Sequence, residues 1–126
     1  MTTPEQARAT IDRYVDRHAA GDIDGILTCF AADAAAEDPV GTDAHAGTDA
    51  LRAFFEGTHA LSDRLDLELT GPVRVALPWA AVPMRAISHI GADALVVDII
   101  DVMTFDDDGL ITEMKAYWSF DDTHPL

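Results

Sequence analysis

The residues from Ala94 to Phe105 constrain this chain more than any others. On an extended strand, Leu95, Val97, Ile99, Asp101, Met103 and Phe105 share one face. Five of these six are large and apolar, and the fourth is a carboxylic acid. The other face, Val96, Asp98, Ile100 and Val102, is also mostly apolar. A strand apolar on both faces needs cover on both. In so small a chain the second cover is expected from another subunit, the alternative being the chain's own helices. Asp101 is the anomaly. An ionised carboxylate is costly to bury without a partner. Desolvation raises its pKa, and no Lys or Arg in that strand opposes the rise. Either Asp101 stays protonated and donates a hydrogen bond, or the strand twists and turns it toward solvent or a backbone donor.

The surrounding pattern sets the fold class. Thr3-Pro4-Glu5-Gln6 opens a helix: Thr3 is a capping residue, Pro4 suits the first turn, and Gln6 completes a capping box. Ala7, Ile11, Tyr14, Val15 and His18 follow at helical spacing, and Gly21 ends the run. Asp22 caps a second short helix with Ile23, Ile26, Leu27 and Phe30 on one face. An extended piece covers Ala34 to Asp38, and Thr48 or Asp49 caps a third helix that closes near Gly57. Beyond it the period changes to two. Leu65, Leu67 and Leu69 alternate with acids, Val73, Val75 and Leu77 alternate again, and Ala80 to Ile90 reads as an edge or bulged strand because of Pro83. Asp106-Asp107-Asp108-Gly109 is a hairpin turn, and Leu110 to Phe120 is the last strand. Helices first and strands later predict one α+β domain over residues 1–126. In it, three helices from the N-terminal half pack on a curved, mostly antiparallel sheet, a cone with room for a pocket.

Charge narrows the partners. The chain carries 8 Lys and Arg against 23 Asp and Glu, a net charge of −15. Such a surface disfavours nucleic acid, anionic membranes and highly charged anionic ligands. Cys29 is the only cysteine, so no internal disulfide or Cys-based zinc site is expected, and the five histidines show no metal-ligand spacing and read as surface or helix-face residues. No secretory leader and no apolar run of membrane length is visible, which points to a cytoplasmic protein. The Asp106–Gly109 run superficially resembles the start of an EF-hand, but Leu110 and Ile111 stand where oxygen ligands are needed. Neither a Gly-rich phosphate loop nor a Gly-x-Ser-x-Gly elbow is present. What remains is a neutral or apolar small ligand, a protein partner, or no ligand at all.

Several segments together resemble a known family. They are Arg13-Tyr14-Val15, Ala20 to Ile26, Glu37-Asp38-Pro39-Val40-Gly41, Thr70 to Arg74, Asp98 to Met103 and Met114 to Ser119. Over nearly the whole chain, from about Thr3 to about Phe120, the pattern is similar to that of the Δ5-3-ketosteroid isomerases, whose cone fold is of the nuclear transport factor 2-like, or SnoaL-like, kind. The resemblance implies that Asp38 is the general base, and that Tyr14 and Asp101 are two donors of an oxyanion hole. It implies that Trp118 packs near the base and lines the pocket, and that Met84, Met114, Ala116 and Phe55 line the substrate site. It further implies a homodimer that needs no cofactor or metal. Ketosteroid isomerases are themselves the known case of a carboxylic acid held neutral by an apolar site, so for Asp101 the resemblance restates the strand argument and is no independent support. The chain departs from the family at Phe55, where a supporting tyrosine is expected, and Phe30 likewise lacks a hydroxyl. Only Tyr14 and Tyr117 exist, which shortens any hydrogen-bond network behind Tyr14.

The implied reaction moves the double bond of a 3-oxo-Δ5-steroid to Δ4, by proton transfer from C4 to C6 through a dienolate. Two other readings share the fold: a polyketide cyclase or dehydratase using related acid–base chemistry, and a non-catalytic steroid- or lipid-binding module. The binding module has no need of a carboxylate base.

Overall fold

A computed structural model describes residues 1–126. Three helices, α1 (Pro4–Ala19), α2 (Ile23–Leu27) and α3 (Thr48–Ala60), pack on the concave side of an eight-stranded mixed sheet. Its strands are β1 (Phe30–Glu37), β2 (His45–Ala46), β3 (Arg64–Leu69), β4 (Arg74–Ala76), β5 (Trp79–Ile90), β6 (Asp93–Phe105), β7 (Ile111–Tyr117) and β8 (Thr123–Pro125). The main order is β2-β1-β7-β6-β5-β3, with β4 beside β5 and β8 beside β6. All pairs are antiparallel except β1 with β7. No helix is long and apolar enough to cross a membrane.

The helix signals act as expected at the N-terminus. Thr3 and Gln6 form a reciprocal capping box, with Gln6 N donating to Thr3 Oγ1 at 3.2 Å and Thr3 N to Gln6 Oε1 at 2.9 Å. The stripe then buries Ala7, Ile11, Tyr14 and His18. Gly21 takes a φ of 66°, which lets the chain turn directly into Asp22, whose side chain caps α2 through Gly25 N at 2.9 Å. The β6–β7 hairpin closes through Asp106, whose Oδ1 accepts from Asp108 N and Leu110 N, both at 2.9 Å.

Four details differ from the sequence expectation. Helix α3 is capped by Gly47 without a side-chain bond and runs through Gly57 to Ala60. One glycine costs a helix only about 1 kcal/mol, and the buried Leu51 and Phe55 outweigh it. The first strand begins at Phe30, four residues before Ala34. Strand β5 is central and not an edge. Pro83 O accepts from Thr70 N at 3.1 Å, so the face of Pro83 that lacks an N–H points to the gap between β3 and β4, while β6 pairs with β5 without interruption. Finally, β7 ends at Tyr117, and the chain turns through residues 120–122 to return as β8 along Leu95–Val97 of β6.

The main core lies between helices and sheet, and it includes Ile11, Ile26, Leu51, Phe55, Met103, Ile111 and Met114. The convex face is different. Ile100 and Tyr117 are direct cross-strand neighbours there, and each is half exposed. The chain's own helices therefore leave this apolar pair uncovered.

Candidate active site

Sheet register gathers the carboxyl groups. Asp101 of β6 is flanked by Val82 of β5 and Ala116 of β7. On the far side of β7, the parallel register pairs Ala36 with Met114 and Glu37 with Lys115. The next step carries Asp38 to the level of Ala116, and Val40 N donates to Ala116 O at 2.8 Å. Asp38 and Asp101 thus stand two strands apart, about 10 Å between backbones, with Ala116 on the strand between them. Strand alternation puts Asp38 on the side of the buried Ala34 and Ala36, and Asp101 on that of the buried Met103. Helix α1 supplies Tyr14 from above. Its ring is walled by His18, Phe30 and Phe55 at centroid distances of 4.6, 5.9 and 6.3 Å.

The three groups feel one another. Burial pushes the Asp101 carboxyl well above its ordinary range, and the charge of Asp38 adds to the rise. No hydrogen bond or cation from the chain enters that balance. Burial likewise pushes the Tyr14 hydroxyl up, and the charges of Asp101 and Asp38 reinforce it. Asp38 is raised by burial too, but two neighbours oppose the rise. The Trp118 indole N–H donates to Asp38 Oδ1 at 2.6 Å, and the nearby His45 favours its charged form. Two carboxyl groups in one site are therefore treated differently. The deep one has only dry surroundings, and the outer one has an N–H donor and a nearby imidazole.

A cavity of about 320 Å³ opens beside them. Asp38 and Trp118 line it, together with Phe54, Leu61, Leu65, Ala86, Val97 and Ile99, and with the hydroxyl-bearing Thr58 and Ser88. Ile99 is the last lining residue before Asp101 on β6, so Asp101 and Tyr14 sit beyond the inner end, sealed from solvent. Met84, Met114 and Ala116 are buried around them: Met84 pairs with Ile99, Met114 with Met103, and Ala116 with Asp101. Phe55 lies in the core behind Tyr14, and its neighbour Phe54 faces the cavity with His45 stacked on it at 4.4 Å. No group of three His, Cys, Asp or Glu side chains is placed to hold a metal ion.

The chain is recognised over residues 11–114 by the model of the SnoaL-like domain. It belongs to the SnoaL-like domain family. It is 38% identical over 114 residues to a steroid Delta-isomerase from Nocardioides simplex, an alignment covering 90% of each chain. It is 33% identical to the epoxide hydrolase LasB of Streptomyces lasalocidi, over 84% of this chain and 45% of that protein. In fold it matches the epoxide hydrolase/cyclase-like enzyme SalBIII, which is described in pyran ring formation in the polyether salinomycin. That match has a TM-score of 0.89 and 23% identity, and it covers both chains completely. The resemblance to ketosteroid isomerases and the cone-type α+β fold both stand on these matches.

Spacing places His18 on the buried α1 stripe, but its partner, far along the chain, is not visible from that segment. His18 is no surface residue: it is buried, stacked on His59 with 5.1 Å between ring centroids, and its Nδ1 lies 3.0 Å from His59 Nε2. Its Nε2 is buried without a partner. Leaving a lone pair unpaired is less costly than burying an unpaired N–H, so the proton belongs on Nδ1, donated to His59. Burial, helped by His59, lowers the His18 pKa from 6.5 to about 3. The folded state thus refuses a proton that the unfolded state accepts. This contribution to stability is complete above pH 6.5 and shrinks as pH falls toward 3, by about 1.4 kcal/mol per pH unit. Urea midpoints measured from pH 7 to pH 4 are expected to fall more steeply for the wild type than for His18→Leu. Equal slopes would contradict the buried neutral pair.

Proposed function

We propose that this protein is a cofactor-independent steroid Δ-isomerase acting on uncharged 3-oxo-Δ5-steroids. The observation that carries the reading is the unequal treatment of Asp38 and Asp101 on either side of Ala116. The steroid enters the apolar cavity with its ketone leading, past Ile99 and Trp118. Asp38, ionised, takes a proton from C4 beside the C3 carbonyl. Negative charge develops on the C3 oxygen, where the Tyr14 hydroxyl and protonated Asp101 donate hydrogen bonds. Asp38 then returns the proton to C6, and the double bond moves into conjugation with the ketone. The scheme needs one carboxyl charged and the other neutral at the same pH. The 38% identity to a steroid Delta-isomerase supports it. The test is an ultraviolet assay for conjugated enone formed from 5-androstene-3,17-dione. No absorbance change with folded protein would refute the reading.

Trp118 holds the acid limb of the pH profile in place. Its N–H favours the charged form of Asp38. Trp118→Phe removes that bond, so the Asp38 pKa rises and kcat/KM is lost at a higher pH on the acid side. An unmoved acid limb would separate Trp118 from the base. The same reading expects a homodimer in which a second copy covers Ile100 and Tyr117, and a monomer mass in sedimentation would contradict that part.

A second reading is favoured by the likeness to LasB. Protonated Asp101 could donate to the oxygen of an epoxide while Asp38 takes the proton of an attacking hydroxyl. Turnover of a hydroxy-epoxide without any turnover of the steroid would select it.

A further inference from the structure

The concave face of β5 and β6 continues past the cavity. Ser88 lines the cavity and is paired with Leu95, which lies beyond it. Ser88 also lines a second hollow of about 530 Å³ at the β5–β6 turn, together with Ile90, Leu95, Pro125 and Leu126. Strand β8 builds its outer wall, since Pro125 pairs with Leu95 and Leu126 N donates to Ala94 O at 3.3 Å. Ile90 is 55%, Leu95 46% and Leu126 71% exposed, so this hollow offers apolar side chains to water. Asp93 carries the one acidic or basic side chain along it.

Length decides what fits. Six residue steps lead from Leu95 to Asp101, about 20 Å of extended strand. That is longer than a fused four-ring nucleus. A molecule whose ketone reaches Asp101 therefore touches Leu95 only if it carries a chain beyond its rings. Asp93 and the net charge of −15 disfavour an anionic chain.

We propose that the hollow bounded by Ile90, Leu95 and Leu126 is a distal subsite of the active-site cavity, joined to it at Ser88, and that it takes the uncharged aliphatic side chain of a sterol-type ketone. This rests on the isomerase reading for the orientation of the ligand. The subsite makes the preferred substrate a side-chain-bearing steroid and not the bare nucleus.

Quenching of tryptophan fluorescence reports binding without requiring turnover. The conjugated ketones 4-androstene-3,17-dione and 4-cholesten-3-one are the short and tailed probes, and 3-oxo-4-cholenoic acid carries a charged tail. The wild type is expected to bind the tailed ketone at least about tenfold more tightly than the short one, a gain that about two buried methylenes supply. The charged tail loses that advantage. Leu95→Asp and, independently, Leu126→Asp bring the ratio of short to tailed Kd back toward one. No tail preference in the wild type, or a preference that survives in both folded variants, overturns the subsite. A fall in sedimenting mass from dimer to monomer in these variants, with both ketones weakened equally, also overturns it and assigns the hollow to a second copy. The enone assay keeps the two claims apart. Turnover of the short steroid without a tail preference defeats the subsite alone, and a tail preference without turnover of either steroid defeats the isomerase reading alone.

Discussion

Asp38→Asn is expected to lower kcat for 5-androstene-3,17-dione by about 10²–10⁴, the range a positioned general base contributes. The substitution changes little else. Asn keeps the size of Asp and retains an Oδ1 that accepts from the Trp118 indole, so the contact now at 2.6 Å survives. What it removes is the basic lone pair on which proton removal from C4 depends. It also removes the negative charge that helps to raise Asp101 and Tyr14. The two donors keep their protons, and KM is expected to change far less than kcat. The enone assay combined with a thermal melt checks both statements. Activity near wild type in a folded Asp38→Asn protein would remove Asp38 from the mechanism.

Tyr14→Phe and Asp101→Leu are each expected to lower kcat by about 10²–10³, the scale of one lost oxyanion donor. Asp101→Asn is expected to fall between Asp101→Leu and the wild type, because an amide N–H can still donate. Stability moves the other way. The Asp101 pKa is raised in the folded state. Its contribution to stability is therefore fully present below pH 3.8, the ordinary value for an exposed Asp, and is lost as pH rises toward the folded value. At neutral pH, Asp101→Asn removes that cost, and its Tm is expected to equal or exceed that of the wild type. A protein that melts higher and turns over more slowly places Asp101 in function and not in folding. Unchanged turnover in Tyr14→Phe and Asp101→Leu together would reject the hole.

Local signals were readable wherever a single segment contains its own cause. The capping box at Thr3 and Gln6, the Asp22 cap and the Asp106–Gly109 turn each satisfy backbone groups a few residues away. Asp101 stood out because five apolar neighbours share its strand face. Features set by distant partners were not readable. Strand β8 has three residues and exists because β7 leaves the Leu95–Val97 edge of β6 free. Pro83 is tolerated in a central strand because β3 and β4 part opposite it. His18 shows its place on the α1 stripe by spacing, but its partner His59 is 41 residues further along the chain. Thr58 and Ser88 face the cavity only through the packing of α3 and the register of β5. The resemblance brought Tyr14, Asp38 and Asp101 forward as a set, and the β1–β7–β6 register explains how two of them share one level of the sheet.

Infrared difference spectroscopy of the wild type against Asp101→Asn at neutral pH reads the proton on that side chain directly. The account predicts a carboxylic-acid C=O band that is lost in the variant, with no loss of carboxylate intensity. A carboxylate band assigned to Asp101 in the resting protein would contradict it.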